Sequence, residues 1–500
     1  MQALAAAGVS WPAFAASVAA ALLVAAVVVR LCSEAARTGK RTSTGDGGAK
    51  ARLPAGTLGW PLVGETLAFI SAASSARPES FVENRCLRYG KVFRSHLWGS
   101  PMVVSADPEV SRAVLQGDAS TFVPWYPRSL MELMGESSIL VLSGVLQRRV
   151  HGLAGAFFKS AELKARVTAN MQIHVAAAMD AWRTGAAGAV RVQDVAKSIV
   201  FGILIRTLIG LEDGPEMNYV RQQFCIFIDG LISLPIKLPG TQLYRSLQAK
   251  KRMTRLIQKI IQEKRSRRII EGKDFCGAPR DLIDVLMSNG SDELTNELIS
   301  DNMIDLMIPA EDSVPVLITL AVKYLSDCPL ALQQLEEENM ELKKKSDAGE
   351  TLQWTDYMSL TFTQHVITET LRIGNIISGI MRRAERDVEV KGYDGLVIPK
   401  GWCVLVYFRS VHLDGGVYDD PYAFNPWRWK ERDTMGNSSF TPFGGGQRLC
   451  PGVDMARLQA AIFLHHLVTN FRWVAEGDDL VNFPTVRLKR GLPIRVTPKS

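Results

Sequence analysis

A glycine-rich stretch with a single cysteine, residues 440–452 (FTPFGGGQRLCPG), holds the residues best suited to chemistry. Three consecutive glycines, Gly444 to Gly446, allow the backbone to approach a flat ligand and to point amide N–H groups at the Cys450 sulfur. A helix rich in Ala, Leu and Met is predicted to begin directly afterwards, and a helix N-terminus favours negative charge. The pattern predicts a buried thiolate that binds a metal and is tuned by hydrogen bonds to its sulfur.

The stretch fits F-x-x-G-x-R-x-C-x-G, and its fixed positions are Phe443, Gly446, Arg448, Cys450 and Gly452. In this it resembles the cytochrome P450 family. The resemblance implies a mainly α fold with a small β region, haem b as cofactor, and Cys450 as the axial thiolate ligand of the iron. It also implies haem contacts from Phe443 and from Arg448, whose planar guanidinium suits a propionate. The alternative is a buried structural cysteine beside a glycine turn.

A second family feature is the pair Glu369 and Arg372 in ITETLR, three residues apart and so on one face of a predicted helix. By itself an E-x-x-R pair is common and usually indicates a surface ion pair. Its position ahead of the cysteine, and the arginine Arg428 in FNPWRW, resemble the structural triad of the family. The resemblance therefore assigns these three residues to folding and haem retention.

The resemblance also assigns cofactor contacts outside the cysteine loop. Arg382 in IMRRAERDVEV matches the family arginine that binds a propionate, with Arg383 as a close competitor. In GVLQRRVHG, Gln147 stands at the family's tryptophan position and His151 at its arginine position. We predict both as cofactor-binding residues, although they depart from the family pattern. The alternatives, also suited to a solvated face that meets a redox partner, are Arg148 and Arg149.

Residues 308–313 (IPAEDS) resemble, in register, the A/G-G-x-D/E-T-T/S motif with which family members activate oxygen on a long helix. Glu311 keeps the acid of the motif. Asp312 stands at the usual alcohol position and Pro309 at the usual glycine position. Because oxygen activation consumes protons, we predict Glu311, Asp312 and Ser313 as a catalytic proton relay.

Two prolines predict a local opening of the same helix. Pro309 and Pro315 have no N–H to donate to the carbonyls four residues before each. Carbonyls freed in a kink can hold water, and such kinks often occur at functional sites. The alternative is a purely structural kink, in which Asp312 and Ser313 cap the second half of the helix.

Composition predicts one large globular catalytic unit. The 500 residues are 47% hydrophobic and carry a net charge of +7, enough apolar surface for a large core. The seven cysteines are scattered without paired or zinc-type spacing, which favours a reducing compartment over a disulfide framework. The densest basic run, residues 250–268, alternates with Leu and Ile at helical spacing. We interpret it as a solvated helix face and not as a nucleic-acid site.

The N-terminus predicts attachment to a membrane. No charged residue precedes Arg30, and residues 10–29 form an apolar segment of about 20 residues, long enough to cross a bilayer. We interpret residues 1–30 as a transmembrane anchor, with a cleaved signal peptide as the alternative. Residues 31–52 are then a basic, flexible linker, and residues 53–500 the catalytic domain. The basic flank predicts a cytoplasmic catalytic domain on a single-pass protein of the endoplasmic reticulum membrane.

Periodicity predicts a mainly helical chain with few strands. Strands are expected at 92–96 and 101–105, with a strand-rich patch at 388–407. The predicted helices are 107–116, 144–158, 161–182, 192–210, 217–231, 241–269, 295–325, 329–345, 359–373 and 452–470.

Phrases outside the cysteine loop narrow the resemblance. Plant cytochromes that oxidise brassinosteroid precursors have segments similar to LPAGTLGWPLVGET, RVHGLAGAFFKS and ETLRIGNIISGIMRRA of this chain. The steroid C-23 hydroxylase branch of these cytochromes is the one that PAEDSVP resembles. The rivals are the C-22 hydroxylase and other plant steroid or triterpenoid oxidases. The resemblance implies hydroxylation of a sterol side chain with O2 and NADPH, with electrons from a membrane-bound NADPH-cytochrome P450 reductase.

Two apolar segments, 124–135 and 224–240, suit a bulky apolar substrate, although both are also ordinary core patterns. The predicted substrate contacts are Trp125, Phe227, Ile376 and Ile377. Two other functions stay open. One is a haem-thiolate isomerase or dehydratase that needs no external electrons, and the other is a non-catalytic haem-based sensor.

Overall fold

The computed structural model describes residues 52–60, 63–183, 189–231, 233–271, 279–288, 294–393, 395–432, 438–483 and 485–499. The predicted anchor, residues 1–30, and the predicted linker apart from Arg52 lie outside the described residues. Arg52 itself pairs with Leu396 in a parallel bridge. Among the described residues no single helix is long and apolar enough to span a membrane. One pair of segments bent by 116°, Asn296–Asp327 with Pro329–Asp347, meets the length and composition together.

Helices dominate the architecture. In chain order they are α1 (Thr66–Ala73), α2 (Ser80–Tyr89), α3 (Pro108–Gln116), α4 (Arg128–Met134), α5 (Gly144–Lys159), α6 (Ala161–Arg183), α7 (Val192–Ile209), α8 (Pro215–Ile228), α9 (Gln242–Glu271), α10 (Leu282–Ser288), α11 (Asn296–Met307), α12 (Pro309–Asp312), α13 (Val314–Asp327), α14 (Pro329–Asp347), α15 (Trp354–Met358), α16 (Thr361–Gly374), α17 (Phe408–His412) and α18 (Val453–Asn470). Short 3-10 helices occupy Pro426–Trp429 and Gly446–Arg448.

Within the described ranges the strands form four small sheets. They are β1 (Val92–Leu97), β2 (Ser100–Ser105), β3 (Phe122–Pro124), β4 (Val190–Arg191), β5 (Ile380–Ala384), β6 (Val388–Glu389), β7 (Val397–Ile398), β8 (Cys403–Val406), β9 (Phe471–Ala475), β10 (Leu480–Val481), β11 (Arg487–Leu488) and β12 (Pro493–Pro498). The largest sheet has the order β1-β2-β8-β5-β3. Only its β2 and β8 pair in parallel, with Met102 opposite Cys403, so chain segments from both halves of the sequence meet there.

Local sequence accounts for the helix boundaries. Helix α3 begins after Asp107, whose carboxylate accepts hydrogen bonds from the N–H groups of Glu109 and Val110. Helix α11 begins after Thr295, whose hydroxyl accepts from the Leu298 N–H. Apart from 295–325, every predicted helix is present, with its ends shifted by at most three residues. Six short helices were not predicted, because they are stabilised by packing and not by periodicity: α1, α2, α4, α10, α15 and α17.

The predicted helix 295–325 consists of three helices, α11, α12 and α13, and the predicted opening is therefore confirmed. Because Pro309 has no N–H, the Asp305 carbonyl accepts instead from the Ile308 N–H at 3.1 Å. At the second break, the backbone of Ser313 leaves the helical conformation, with φ −127° and ψ −73°. The short helix α12, which carries the acidic motif, is thus set off from both halves of the long helix.

The main apolar core surrounds this broken helix. Buried side chains of α7, α13, α16 and α18 meet there, among them Ile203, Leu320 and Phe463. Two smaller cores cover the two faces of the largest sheet, one around Phe93 and Leu405. Helix α18 follows directly on the cysteine loop, so the loop is attached to a mostly buried helix of the main core.

Candidate functional site

Backbone hydrogen bonds shape the cysteine loop. The Cys450 N–H donates to the Phe443 carbonyl at 3.0 Å, and the Leu449 N–H donates to the Gly446 carbonyl at 3.2 Å. Burial raises the pKa of the Cys450 thiol, while the backbone amide of Gly452 lowers it by hydrogen bonding to the sulfur. Without a cation facing it, the thiol is therefore protonated at neutral pH. A bound metal ion would stabilise the thiolate form that serves as its ligand.

The loop passes very close to helix α3 at Gly446. This residue has φ +62°, and a Cβ built on it would lie 2.3 Å from the carbonyl oxygen of Leu115. Only glycine satisfies both conditions. At Gly444, φ is +75° and no atom lies within 4 Å of such a Cβ, so here the backbone conformation and not crowding requires the glycine.

Two arginines converge beside the loop. Arg448 donates to the carbonyls of Ile139 and Leu142. Burial and the nearby charge of Arg382 lower the pKa of Arg448 to about 10, and burial also lowers the pKa of Arg382. Within the described ranges neither forms an ion pair with a carboxylate. Two neighbouring cations in a partly dry site would be stabilised by a bound anionic group. The two propionate carboxylates of haem are groups of this kind.

Helix α5 holds the loop from the other side. Gln147 Nε2 donates to the Gln447 carbonyl at 3.4 Å, and His151 Nε2 lies 2.8 Å from the Leu449 carbonyl oxygen. Burial lowers the pKa of His151, so the neutral ring donates this hydrogen bond. The structure thus places both predicted cofactor-binding residues against the peptide backbone of the loop.

The predicted structural triad is assembled in the core. Arg372 makes two hydrogen bonds to the Glu369 carboxylate, at 2.7 and 2.9 Å, and Arg428 makes one at 3.0 Å. The Asn425 N–H and the Trp429 indole N–H complete five hydrogen bonds to the same carboxylate. Both Glu369 and Arg372 are fully buried. So many partners for one buried charge indicate a structural role.

The acidic motif has an ion-pair partner that sequence reasoning missed. Glu311 pairs with Lys197 of helix α7, and both side chains are about three-quarters buried. Burial raises the pKa of the Asp312 carboxyl, Lys197 lowers it, and Glu311 raises it again. No signal in the sequence could have identified Lys197, because the motif and this lysine are brought together only by the packing of α12 on α7.

The four predicted substrate contacts do not form one cluster. Trp125 packs against the core on one face of the largest sheet. Phe227 is fully buried in the main core, where its ring lies 5.7 Å from that of Phe224. Ile376 is also buried there, whereas its neighbour Ile377 is 44% exposed. Of the four, Trp125 and Ile377 therefore keep surface that a ligand can reach.

The comparisons with known proteins agree with this geometry. The model of the cytochrome P450 family matches residues 54–493. Cytochrome P450 90D2 of Brachypodium distachyon is 74% identical over 491 residues, which are 98% of this chain and 94% of that protein. The 3-epi-6-deoxocathasterone 23-monooxygenase CYP90D1 of Arabidopsis thaliana is 56% identical over 444 residues, 89% of each chain. The predicted resemblance to the plant steroid 23-monooxygenase branch is confirmed by these relatives.

A solved structure supports the fold. Retinoic acid-bound cyanobacterial CYP120A1 matches with a TM-score of 0.78 and 22% identity, covering 90% of this chain and 100% of that one. The predicted mainly helical fold with a small β region is confirmed. The loop, the triad and these relatives together show that the chain belongs to the cytochrome P450 family and is a monooxygenase of that family.

Proposed function

We propose that this monooxygenase hydroxylates a sterol side chain at C-23 in brassinosteroid biosynthesis, using O2 and NADPH. The observation that carries the proposal is the 56% identity, over 89% of both chains, to a 3-epi-6-deoxocathasterone 23-monooxygenase. The Arabidopsis thaliana 3-epi-6-deoxocathasterone 23-monooxygenase CYP90C1 is 48% identical over 89% of this chain. At such similarity the fold is common to all three chains, so differences in substrate depend on a few pocket residues.

Cofactor binding is supported by the residues around the loop. Cys450 supplies the thiolate, Arg448 and Arg382 supply charge for the propionates, and Phe443 closes the loop against the core. When bound, haem supplies the oxygen-inserting chemistry of the family through its thiolate-ligated iron. Gln147 and His151 orient the loop by holding its carbonyls and need not touch the cofactor.

Proton delivery is assigned to the short helix α12 and the residue after it. Burial raises the pKa of the Asp312 carboxyl, which favours this residue as the proton donor of the relay. Glu311 is anchored to α7 by Lys197, so it fixes α12 and shapes the field at Asp312. The Ser313 hydroxyl, at the break before α13, is the third polar group of the relay. Asp312 therefore carries more of the proposed chemistry than Glu311.

Electrons are proposed to come from NADPH-cytochrome P450 reductase. The loop lies against helix α5, where Arg148 is exposed and Val145 is 69% exposed. Leu449, next to the cysteine, is also 42% exposed. A surface that joins exposed apolar and basic side chains above the thiolate suits a redox partner with an acidic face.

Anchoring in the endoplasmic reticulum membrane by residues 1–30, with the catalytic domain in the cytoplasm, is part of the proposal. Its support is the apolar N-terminal segment of the sequence. Deleting residues 1–30 should release the protein at least partly into the soluble fraction of a carbonate-washed microsome preparation. Full retention in the membrane pellet would reject this anchor.

The reaction is tested by expressing the full chain with a plant reductase in yeast microsomes and supplying a panel of sterols. The panel contains sterols with and without a C-22 hydroxyl, and products are identified by mass spectrometry. The proposal expects a C-23 hydroxylated product that requires both NADPH and O2. Oxidation at C-22 alone would assign the chain to the rival activity, and turnover without NADPH would assign it to an isomerase or dehydratase.

A further inference from the structure

Three hydrogen bonds tie His412, the last residue of α17, to its surroundings. The side chain is fully buried, and its Nδ1 lies 2.8 Å from Asn375 Oδ1. Its Nε2 lies 3.1 Å from the backbone nitrogen of Thr441. The His412 carbonyl accepts from Arg372 at 2.8 Å. His412 therefore connects the helix of the structural triad to the start of the cysteine loop.

These partners determine the protonation of the ring. Because the Thr441 N–H is a donor, Nε2 must be the unprotonated acceptor, and Nδ1 carries the proton donated to Asn375. The Asn375 amide nitrogen donates to the Arg372 carbonyl at 2.7 Å, which leaves Oδ1 to accept. Burial, with the charges of Arg372 and Arg409, lowers the pKa of His412 to about 3. The ring is thus neutral at neutral pH.

The contact at Thr441 continues toward the cysteine through backbone hydrogen bonds. The Thr441 carbonyl accepts from the Gly444 N–H at 3.0 Å, and the Phe443 carbonyl accepts from the Cys450 N–H at 3.0 Å. The imidazole itself is held between aromatic rings, with centroid distances of 6.2 Å to Phe408 and 5.6 Å to Phe440. The ring therefore offers its acceptor at one fixed place.

We propose that His412 is a positioning residue for the thiolate ligand. By accepting the Thr441 N–H, it fixes where the cysteine loop leaves the core and, through the loop, where Cys450 Sγ lies. The hydrogen-bond partners of His412 are Arg372, Asn375 and Thr441, so its effect on Cys450 passes through the peptide chain. The inference depends on haem ligation by Cys450 and is independent of the sterol reaction proposed above.

Two substitutions separate the two ring contacts. In His412→Gln the amide oxygen can reach the place of Nε2 and still accept from Thr441, whereas in His412→Asn the shorter amide reaches only the place of Nδ1. The measurement is the spectrum of the reduced, carbon monoxide-bound, haem-loaded full chain. It gives the ratio of thiolate-ligated haem to haem that has lost the thiolate. Because an unpaired buried N–H is costly, His412→Asn should lower this ratio roughly tenfold. His412→Gln should keep it near that of the parent protein.

His465 provides a matched control on helix α18. It is also buried, its Nδ1 lies 3.1 Å from Asn339 Oδ1, and burial lowers its pKa to about 3. His465→Asn should therefore reduce thermal stability but leave the spectral ratio unchanged. A fall in the ratio for His465→Asn as large as that for His412→Asn would show general loosening of the fold and overturn the inference.

Two further results would also overturn the inference: a parental ratio for His412→Asn, or an equal loss in His412→Gln. If His412→Asn yields no haem-loaded protein, the glutamine variant decides. Haem loading with the parental spectrum in His412→Gln supports the positioning role, and failure to load haem rejects it.

Discussion

Lys197 and Glu311 form an ion pair that fastens the short helix α12, the bearer of the acidic motif, to helix α7. The charge of this lysine also opposes the burial-induced rise in the pKa of Asp312, more strongly than the charge of Arg487 does. One side chain thus controls both the position of α12 and the charge near its neighbouring acid.

Replacing Lys197 by Met keeps the length of the side chain but removes its charge. The pKa of Asp312 should rise further, because burial and the charge of Glu311 raise it and, without Lys197, only the charge of Arg487 still lowers it. If protonated Asp312 is the donor, the alkaline limb of the turnover–pH profile moves to higher pH. Unfolding free energy should fall by about 1–2 kcal/mol, less than for a fully buried pair. A limb that moves to lower pH would contradict the assignment.

Asp312→Asn keeps the size and hydrogen bonding of the side chain but removes its titratable proton. Haem binding and sterol affinity should change little, whereas the ratio of hydroxylated product to NADPH consumed should fall by at least about tenfold. NADPH consumption should continue. Asp327→Asn, at the exposed end of α13, is the control and should leave this ratio unchanged. Parental coupling in Asp312→Asn would leave Asp312 as a residue of the kink alone.

Cys450→Ser should remove the soft thiolate and its strong electron donation to iron. The reduced, carbon monoxide-bound spectrum should lose its thiolate signature even where haem is retained. Cys328→Ser, at the junction of α13 and α14, tests for a general effect of cysteine loss and should keep the signature. An unchanged spectrum in Cys450→Ser would refute the ligand assignment.

Glu369→Gln leaves two arginines facing a neutral amide in the core. Because the lost charge is fully buried and shared by Arg372 and Arg428, the unfolding free energy should fall by about 3–5 kcal/mol. Asp180 and Arg183 of α6 have the same i,i+3 spacing, with side chains 72% and 47% exposed. Asp180→Asn should therefore cost less than about 1 kcal/mol. Comparable losses in denaturant titrations of the two variants would contradict the structural role of the triad.

Asp305 makes stability depend on pH. Neither of its carboxyl oxygens has a well-formed hydrogen bond among the described residues. Burial raises its pKa to about 7, opposed by the Ser138 hydroxyl and by the charge of Lys250. Because the pKa of this carboxyl is higher in the folded than in the unfolded protein, its contribution to stability is fully present below the unfolded-state pKa. The contribution is lost as pH rises through the folded-state pKa of about 7. In the parent protein, Asp305 should lower the free energy of unfolding by at most about 4 kcal/mol between pH 4 and 8, and this decrease should be absent in Asp305→Asn. Unfolding free energies measured at both pH values in parent and variant should differ in slope, and equal slopes would refute the assignment.

What the sequence predicted well is local in the chain. The cysteine loop lies within one short segment, and the E-x-x-R pair within one helical turn, so spacing alone places their residues together. The proline-broken helix was also predictable, because the missing N–H groups are a property of Pro309 and Pro315 themselves. Family resemblance then extended these local features to Arg428 and Arg382.

What the sequence did not reveal depends on contacts between distant segments. The partners Lys197 and Glu311 are 114 residues apart, and no local rule relates them. The acceptor role of His412 likewise appears only when α17 lies beneath Thr441. Burial of Phe227, predicted as a substrate contact, depends on how α8 packs on α7, and amphipathic spacing cannot distinguish a core face from a pocket wall.

The close approach of Gly446 to Leu115 limits how the site can be exchanged between proteins. A Cβ at this glycine would also lie 3.0 Å from the Cα of Gln116, so the cysteine loop and the end of helix α3 have complementary shapes. Transplanting the loop alone into another protein, or recombining two parents between residues 116 and 446, keeps this match only where the recipient's helix approaches the loop equally closely. Chimaeras of this enzyme should therefore inherit both segments from one parent.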